Sequence, residues 1–281
     1  MNTANLLGIF IAISVSVFVI YIAKFKNKIV QKILHWLPPI LLTFLIPGIL
    51  SFIFDLSLEN IPLHNWSKDY IYPITIFCIM SSMSLAQLKI VGVKPLLLFL
   101  VGSFTIAVIP AFLFFLYLMG SEQMLELWRG IIPIVGSWIG GSSSMLVLKE
   151  YVSVREDLFL SVLLLDNMIQ NIVMIFLFQI IRRTDHFNQK FKISQSISFT
   201  ENKTNEQLTN KNPYWSILIS VLITGTVVWL EFDFITNVII LSILGLVIGN
   251  ILKFWSFGIN LKIGSIGIIV IMSILGLKLK F

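Results

Sequence analysis

Apolar runs of about twenty residues recur along the whole chain, and this recurrence constrains the fold more than any other feature. The hydrocarbon core of a bilayer is about 30 Å thick and takes roughly 20 apolar residues per helix. About nine runs meet that measure, near residues 5–23, 37–55, 70–88, 95–119, 130–150, 157–181, 214–231, 235–253 and 262–278. In lipid every backbone N–H and C=O must find its partner inside the protein, which makes helices the economical use of such runs. The expectation is an all-α polytopic transmembrane helix bundle of about nine spans.

Composition excludes the soluble alternatives. Of 281 residues, 57% are hydrophobic and 12% charged, against about 25% charged in ordinary soluble domains. The net charge of +6 does not mark a nucleic-acid binder, because the basic residues cluster in short segments between apolar runs. There Lys and Arg mark the cytoplasmic side. A single cysteine, Cys78, rules out an internal disulfide, and His35, His64 and His186 lie near span ends or in loops. No Cys/His spacing suits zinc, so neither a metal nor a cofactor is expected.

The first run has no basic region before it and no small-residue cleavage pattern after it, unlike a signal peptide. Lys24, Lys26, Lys28 and Lys32 follow it instead. This predicts an uncleaved span with the N-terminus outside and a cytoplasmic first loop. Counting onward places Lys89, Lys94, Lys149 and Arg155 inside as well. The same count puts residues 182–213 outside, although that stretch is basic, polar and without apolar periodicity. It reads as a linker (183–213) between a first transmembrane half, 1–182, and the start of a second, 214–281.

Two spans carry unusual chemistry. The run 130–150 contains Gly136-Ser-Trp-Ile-Gly-Gly-Ser-Ser-Ser-Met145, which invites a backbone break at Gly140-Gly141. Broken helices persist at bilayer depth only where protein or a water-filled cavity shields them, and transporters place binding sites there. Halves of ten residues, about 15 Å each at 1.5 Å per residue, put the break near the midplane. Ser142 and Ser143 are natural N-caps for the second half, whose free N–H groups suit an anion, while the carbonyls ending at Ile139 suit a cation. Gly136 and Gly140 also form a GxxxG pair that would let two intact helices pack closely, and Gly245 with Gly249 forms another, for which packing is the favoured reading.

In the next span Asp166, Asn167, Gln170 and Asn171 share one arc of the helix, with Met174 inside it. A carboxylate at membrane depth is costly and faces the bundle interior. Burial favours its neutral form and a bound cation its charged form, so such a group can exchange a proton for a metal ion. The bland alternative is a polar patch that hydrogen-bonds neighbouring helices. Ser81, Ser82, Ser84 and Gln87 in the third span read as helix–helix contacts.

The glycine stretch 136–145, followed about twenty residues later by Leu165-Asp166, resembles the bacterial membrane-protein family DUF819, as do Leu37-Pro38-Pro39 and Pro47-Gly48. The resemblance covers most of residues 1–182. It implies kinship with the assemblage of cation/proton antiporters and anion transporters, whose inverted repeats carry paired broken helices. Carried over to matching positions, it implies site roles for Gly136, Gly140, Gly141 and Asp166, in a bacterial cytoplasmic (inner) membrane. Such members are longer and have a second glycine-rich span, so the resemblance implies a chain truncated at its C-terminus. Ser142-Ser143-Ser144 stands where the family often has Thr-Gly-Asn.

The functional expectation is a secondary transporter for an unknown small solute or ion. Gly140, Gly141, Ser142, Ser143 and Ser144 would line the site with Asp166, Asn167 and Gln170, and Na+ or H+ would be the coupling ion. Gly136, Gly245 and Gly249 would serve helix packing. The alternative is a non-transporting membrane scaffold or assembly subunit. Partners are the lipid bilayer and either a second copy or a chain supplying a second half. An enzyme is not expected: there is no HExxH, no second intramembrane carboxylate for a dyad, and no histidine at depth to pair with a serine.

Overall fold

The computed structural model describes residues 3–25, 27, 30, 34, 38–58, 60–85, 93–118, 122–190, 213–252 and 254–279. Among these the secondary structure is entirely helical: α1 Thr3–Ala23, α2 Pro39–Ile53, α3 Leu63–Trp66, a π turn Ser67–Ile71, α4 Tyr72–Ser81, α5 Val93–Leu118, α6 Glu122–Tyr151, α7 Glu156–Arg182, α8 Thr184–Lys190, α9 Pro213–Trp229, α10 Phe234–Ile251 and α11 Phe257–Gly276. Residues 191–212, which hold most of the expected linker, lie outside the described residues, as does Gln87. Five stretches are long and apolar enough to cross a membrane: Thr3–Ala23, Val93–Leu116, Leu127–Tyr151, Phe234–Ile251 and Phe257–Gly276. Pro39–Ile53 and Tyr214–Trp229 are apolar but shorter.

Local chemistry sets the helix boundaries. Pro38 precedes α2, and Pro39 sits in its first turn, where a missing N–H costs nothing. Pro73 removes an N–H about three turns into the rod 63–81, and its ring crowds the carbonyl four residues back. The preceding turn widens into the π form, in which the Tyr72 N–H donates to the Ser67 carbonyl. Asp233 caps α10 by accepting from the Thr236 N–H at 3.2 Å and the Thr236 hydroxyl at 2.5 Å. Along the apolar helices, hydroxyls such as those of Ser16, Thr43 and Thr75 donate to the carbonyl four residues earlier, at 2.6–2.7 Å.

The core is built around α4, which α9, α10 and α11 flank; α2 packs on α11, and α1 lies against both α2 and α11. Small residues permit this closeness. A Cβ on Gly245 would stand 2.9 Å from the Phe77 carbonyl oxygen, and one on Gly249 would run into the Ser81 backbone. The expected packing role of Gly245 and Gly249 is therefore realised between α10 and α4. Ser81 supports the helix-contact reading too, since its carbonyl accepts from the Trp255 indole at 3.0 Å.

The bundle has two distinct ends. One gathers the start of α1, the end of α2, the start of the rod 63–81 and the end of α11. There Asn5 accepts from the Leu63 N–H at 3.1 Å, and Gly48 abuts Leu279. The other end gathers the end of α4 with the starts of α9 and α11. There the Asn250 amide spans Leu85 and Met83, Ser216 accepts from the Ser256 N–H, and Ser220 donates to Asn260. The first end is acidic on balance, with Asp55, Glu150, Glu156, Asp157, Glu231 and Asp233 against Lys68, Lys149, Arg155 and Lys278. The second is basic, with Lys24 at the end of α1, Lys94 at the start of α5 and Arg183 at the end of α7.

Candidate functional site

The run expected to break does break, and it also reverses. Gly141 has φ 77° and ψ −168° inside α6, a region essentially reserved for glycine. A Cβ on Gly136 would lie 2.5 Å from Leu148 Cδ1 and 3.3 Å from the Ser144 carbonyl oxygen. In a continuous helix, residues 136 and 148 would be about 18 Å apart. Residues 142–151 therefore fold back against residues 122–140 as the return arm of a helical hairpin.

This arrangement corrects the end-to-end picture of two halves spanning the bilayer. The return arm of ten residues covers about 15 Å and comes back to the acidic end. Three contacts fix that end: Lys149 donates to Glu156 at 2.6 Å, Lys68 pairs with Glu150 at 3.7 Å, and Lys278 approaches Glu156 at 3.9 Å. Helix α7 then runs parallel to residues 122–140, with Gly130 facing Leu158 and Val162, and Ser137 and Trp138 facing Asp166. Lys149 and Arg155, expected on the same side as Lys24, instead belong to the opposite end. The helix ends joined by residues 191–212 are at the basic end, contrary to the side-by-side count. A hairpin that enters and leaves by one end removes one crossing from the simple count.

Why the chain reverses here follows from its glycines. Gly136 leaves room for Leu148, and Gly140 leaves room for Ser144, whose Cβ would be 2.8 Å from a Cβ at position 140. The GxxxG spacing of Gly136 and Gly140 thus serves packing after all, but within the hairpin. The return arm is wedged into the core through Met145 and Leu146, which join Tyr72, Ile76, Ile271 and Leu275. At its tip, Ser143 and Ser144 line a cavity of about 270 Å³ with Ile76, Met80, Val238 and Ser242. Gly141 is exposed and Ser142 half-buried. An N-cap bond from Ser142 or Ser143 is not among the side-chain hydrogen bonds of the described residues.

Asp166 is only 4% exposed. Its Oδ2 accepts from the Ser137 hydroxyl at 2.8 Å and its Oδ1 from the Trp138 indole at 2.6 Å. The carboxylate is tied to the outward arm of the hairpin, one turn before the tip, while Ser143 and Ser144 face the cavity between α4 and α10. Asn167 turns its amide to the Leu163 carbonyl at 2.7 Å, and Gln170 is exposed. The side chains of Asn171 and Met174 lie outside the described residues. The expected group therefore divides into a tip facing a cavity and a carboxylate stapling the outward arm to α7.

Sequence reasoning missed Ser137 and Trp138 as the donors to Asp166, although both lie within the glycine stretch. The available signal was an indole and a hydroxyl one turn before a double glycine. It also treated Lys149 as a loop charge. Lys149 is 3% exposed, paired with Glu150 at 3.1 Å and Glu156 at 2.6 Å. Among the described residues there is no group of three or more His, Cys, Asp or Glu side chains able to hold a metal ion.

The family model described as "Protein of unknown function (DUF819)" matches residues 8–281. No curated protein and no solved structure matches the chain.

Proposed function

Since the chain belongs to the DUF819 family, we propose its role from the site itself: a secondary membrane transporter whose solute binds at the tip of the α6 hairpin. The observation that carries this reading is a glycine-only backbone reversal, at Gly141, beside a cavity lined by Ser143, Ser144 and Ser242. Irregular backbone at membrane depth is tolerated where it lines a cavity, and the return arm begins beside that space, where a helix carries the positive end of its dipole. Serine hydroxyls both donate and accept, so they suit a small polar or anionic solute. Asp166 is the coupling group: each oxygen takes one donor and keeps capacity for a proton or Na+. By the bias of Lys and Arg toward the cytoplasm, the basic end faces inward and the N-terminus outward, in a bacterial inner membrane.

A second reading draws on the same carboxylate. With Ser137 and Trp138 both bonded to it, Asp166 also suits a purely structural staple in a membrane scaffold. Flux measured in proteoliposomes separates the two. The transport reading expects proton- or sodium-coupled solute flux that Asp166→Asn uncouples or abolishes while the protein stays folded. Unchanged coupled flux in Asp166→Asn removes its coupling role, and the absence of flux from a stable wild-type protein, across a panel of small anions and polar solutes, favours the scaffold.

A further inference from the structure

Helix α9 carries Val221, Thr224, Gly225 and Val228 at spacings of three and four, which places them on one face. That face borders the rod 63–81, and a groove of about 470 Å³ lies between them, with Tyr70 and Ile74 as its other wall. Space is open beside Gly225, where a built Cβ meets nothing within 4 Å. Thr224 donates its hydroxyl to the Ser220 carbonyl of its own helix, so it adds no free polar group to the groove. From Val221 to Trp229 the helix rises about 12 Å, most of one leaflet's share, about 15 Å, of a hydrocarbon core.

The lining changes character toward the acidic end. Trp229 and Tyr70 are 79% and 61% exposed, and rings of this kind settle at the headgroup level of a bilayer. Beyond them Glu231, in the turn after α9, closes the groove. Its carboxylate makes no hydrogen bond or ion pair among the described residues, whereas Asp233, two residues on, is occupied by Thr236. An apolar wall, then two rings with polar tips, then a carboxylate repeats the order of a phospholipid: acyl chain, ester and phosphate, charged amine.

We infer that this groove binds one phospholipid whose headgroup carries a primary ammonium, with the amine at Glu231 and an acyl chain along Val221, Gly225 and Val228. The lining chooses the headgroup. It includes no lysine or arginine, and Glu231 repels a headgroup of net negative charge. A primary ammonium donates N–H bonds to a carboxylate, which makes a strong charge-assisted pair; a trimethylammonium has no N–H to give. The Tyr70 and Trp229 rings attract the same cation, and their O–H and N–H suit the phosphate and ester oxygens below it.

The inference concerns the outer face of α9 and does not depend on the transport reading at the hairpin tip. Its test is native mass spectrometry of the full-length protein, titrated with phosphatidylethanolamine, phosphatidylcholine or phosphatidylglycerol of matched acyl chains. The wild type should bind the first phosphatidylethanolamine roughly two- to fivefold more tightly than either other lipid, the size of an exposed ion pair. Glu231→Gln, in an exposed turn, should erase that preference, and Glu231→Lys should move it toward phosphatidylglycerol. Gly225→Phe, which sets a ring in the open groove, should weaken first-lipid binding for all three. Equal binding of the three lipids by the wild type would mean an ordinary lipid annulus and would overturn the inference. A preference for phosphatidylethanolamine that survives in Glu231→Gln would overturn it as well.

Discussion

Gly141→Ala isolates the conformational cost of the hairpin tip. At φ 77° and ψ −168° this residue occupies a region that side-chain-bearing residues scarcely enter, with a cost of about 1–3 kcal/mol. A Cβ built there meets nothing within 4 Å, so the cost is backbone strain without a clash. Gly102 provides the control. It also has open space around a built Cβ, but it lies within α5 with ordinary helical dihedrals, where Gly to Ala gains roughly 0.5–1 kcal/mol. The two substitutions add the same methyl group in equally open surroundings, and their effects should differ by about 1.5–4 kcal/mol in opposite directions. Equilibrium unfolding in mixed detergent micelles, followed by far-UV circular dichroism, measures both. Gly140→Ala adds a further contrast, because its Cβ would collide with Ser144; Ser144→Gly should relieve that defect and leave Gly141→Ala unrelieved. If Gly141→Ala proves as stable as Gly102→Ala, the chain does not reverse at this residue and the account of the tip is wrong.

Three further outcomes follow from the packing. Gly249→Ala, which drives a Cβ into the Ser81 backbone, should destabilise by about 1–3 kcal/mol, while Gly225→Ala, with nothing nearby, should not; the same unfolding assay compares them. Trp138→Phe removes the indole donor from buried Asp166 and should cost about 1–3 kcal/mol, with Ser137→Ala acting in the same direction through the other oxygen; equal stability of both variants with the wild type would refute the staple. At the exposed cap of α10, bonds from Thr236 hold the Asp233 carboxyl below its usual value. Its contribution is therefore present above its unfolded-state pKa and fades as pH falls through the lower folded-state value. Amide exchange in the first turn of α10 should quicken in acid after correction for intrinsic rates, and Asp233→Asn should flatten that response.

The helical architecture was legible because apolar runs in lipid leave the backbone few choices, and the break at Gly140-Gly141 was legible because few sequences place a double glycine beside three serines in such a run. Direction was not legible. A break at Gly141 is compatible with a straight continuation or a reversal, and what decides is whether Gly136 has to admit Leu148, a contact between residues twelve apart. Asp166 was correctly expected inside the bundle, since burial follows from the cost of its charge in lipid. Its partners were not, because Ser137 and Trp138 meet it only once the outward arm and α7 run side by side. The charge of residues 182–213 was itself a readable warning: its conflict with simple alternation is what a non-crossing hairpin produces. Lys149 looked like an ordinary loop charge because sequence does not reveal that Glu156 pairs with it, or that Lys68 reaches Glu150 and Lys278 reaches Glu156 beside it.

The reversal at the hairpin tip underlies the topology, the cavity and the proposed site alike, and sidedness tests it most directly. Single cysteines at Ser57, Ser153 and Lys24, in a Cys78→Ser background, can be probed in intact cells with a membrane-impermeant thiol reagent. The account predicts that positions 57 and 153 label from the same side and position 24 from the other. Labelling of position 153 together with position 24, and apart from 57, would mean that residues 122–151 cross the bilayer, and it would contradict the hairpin.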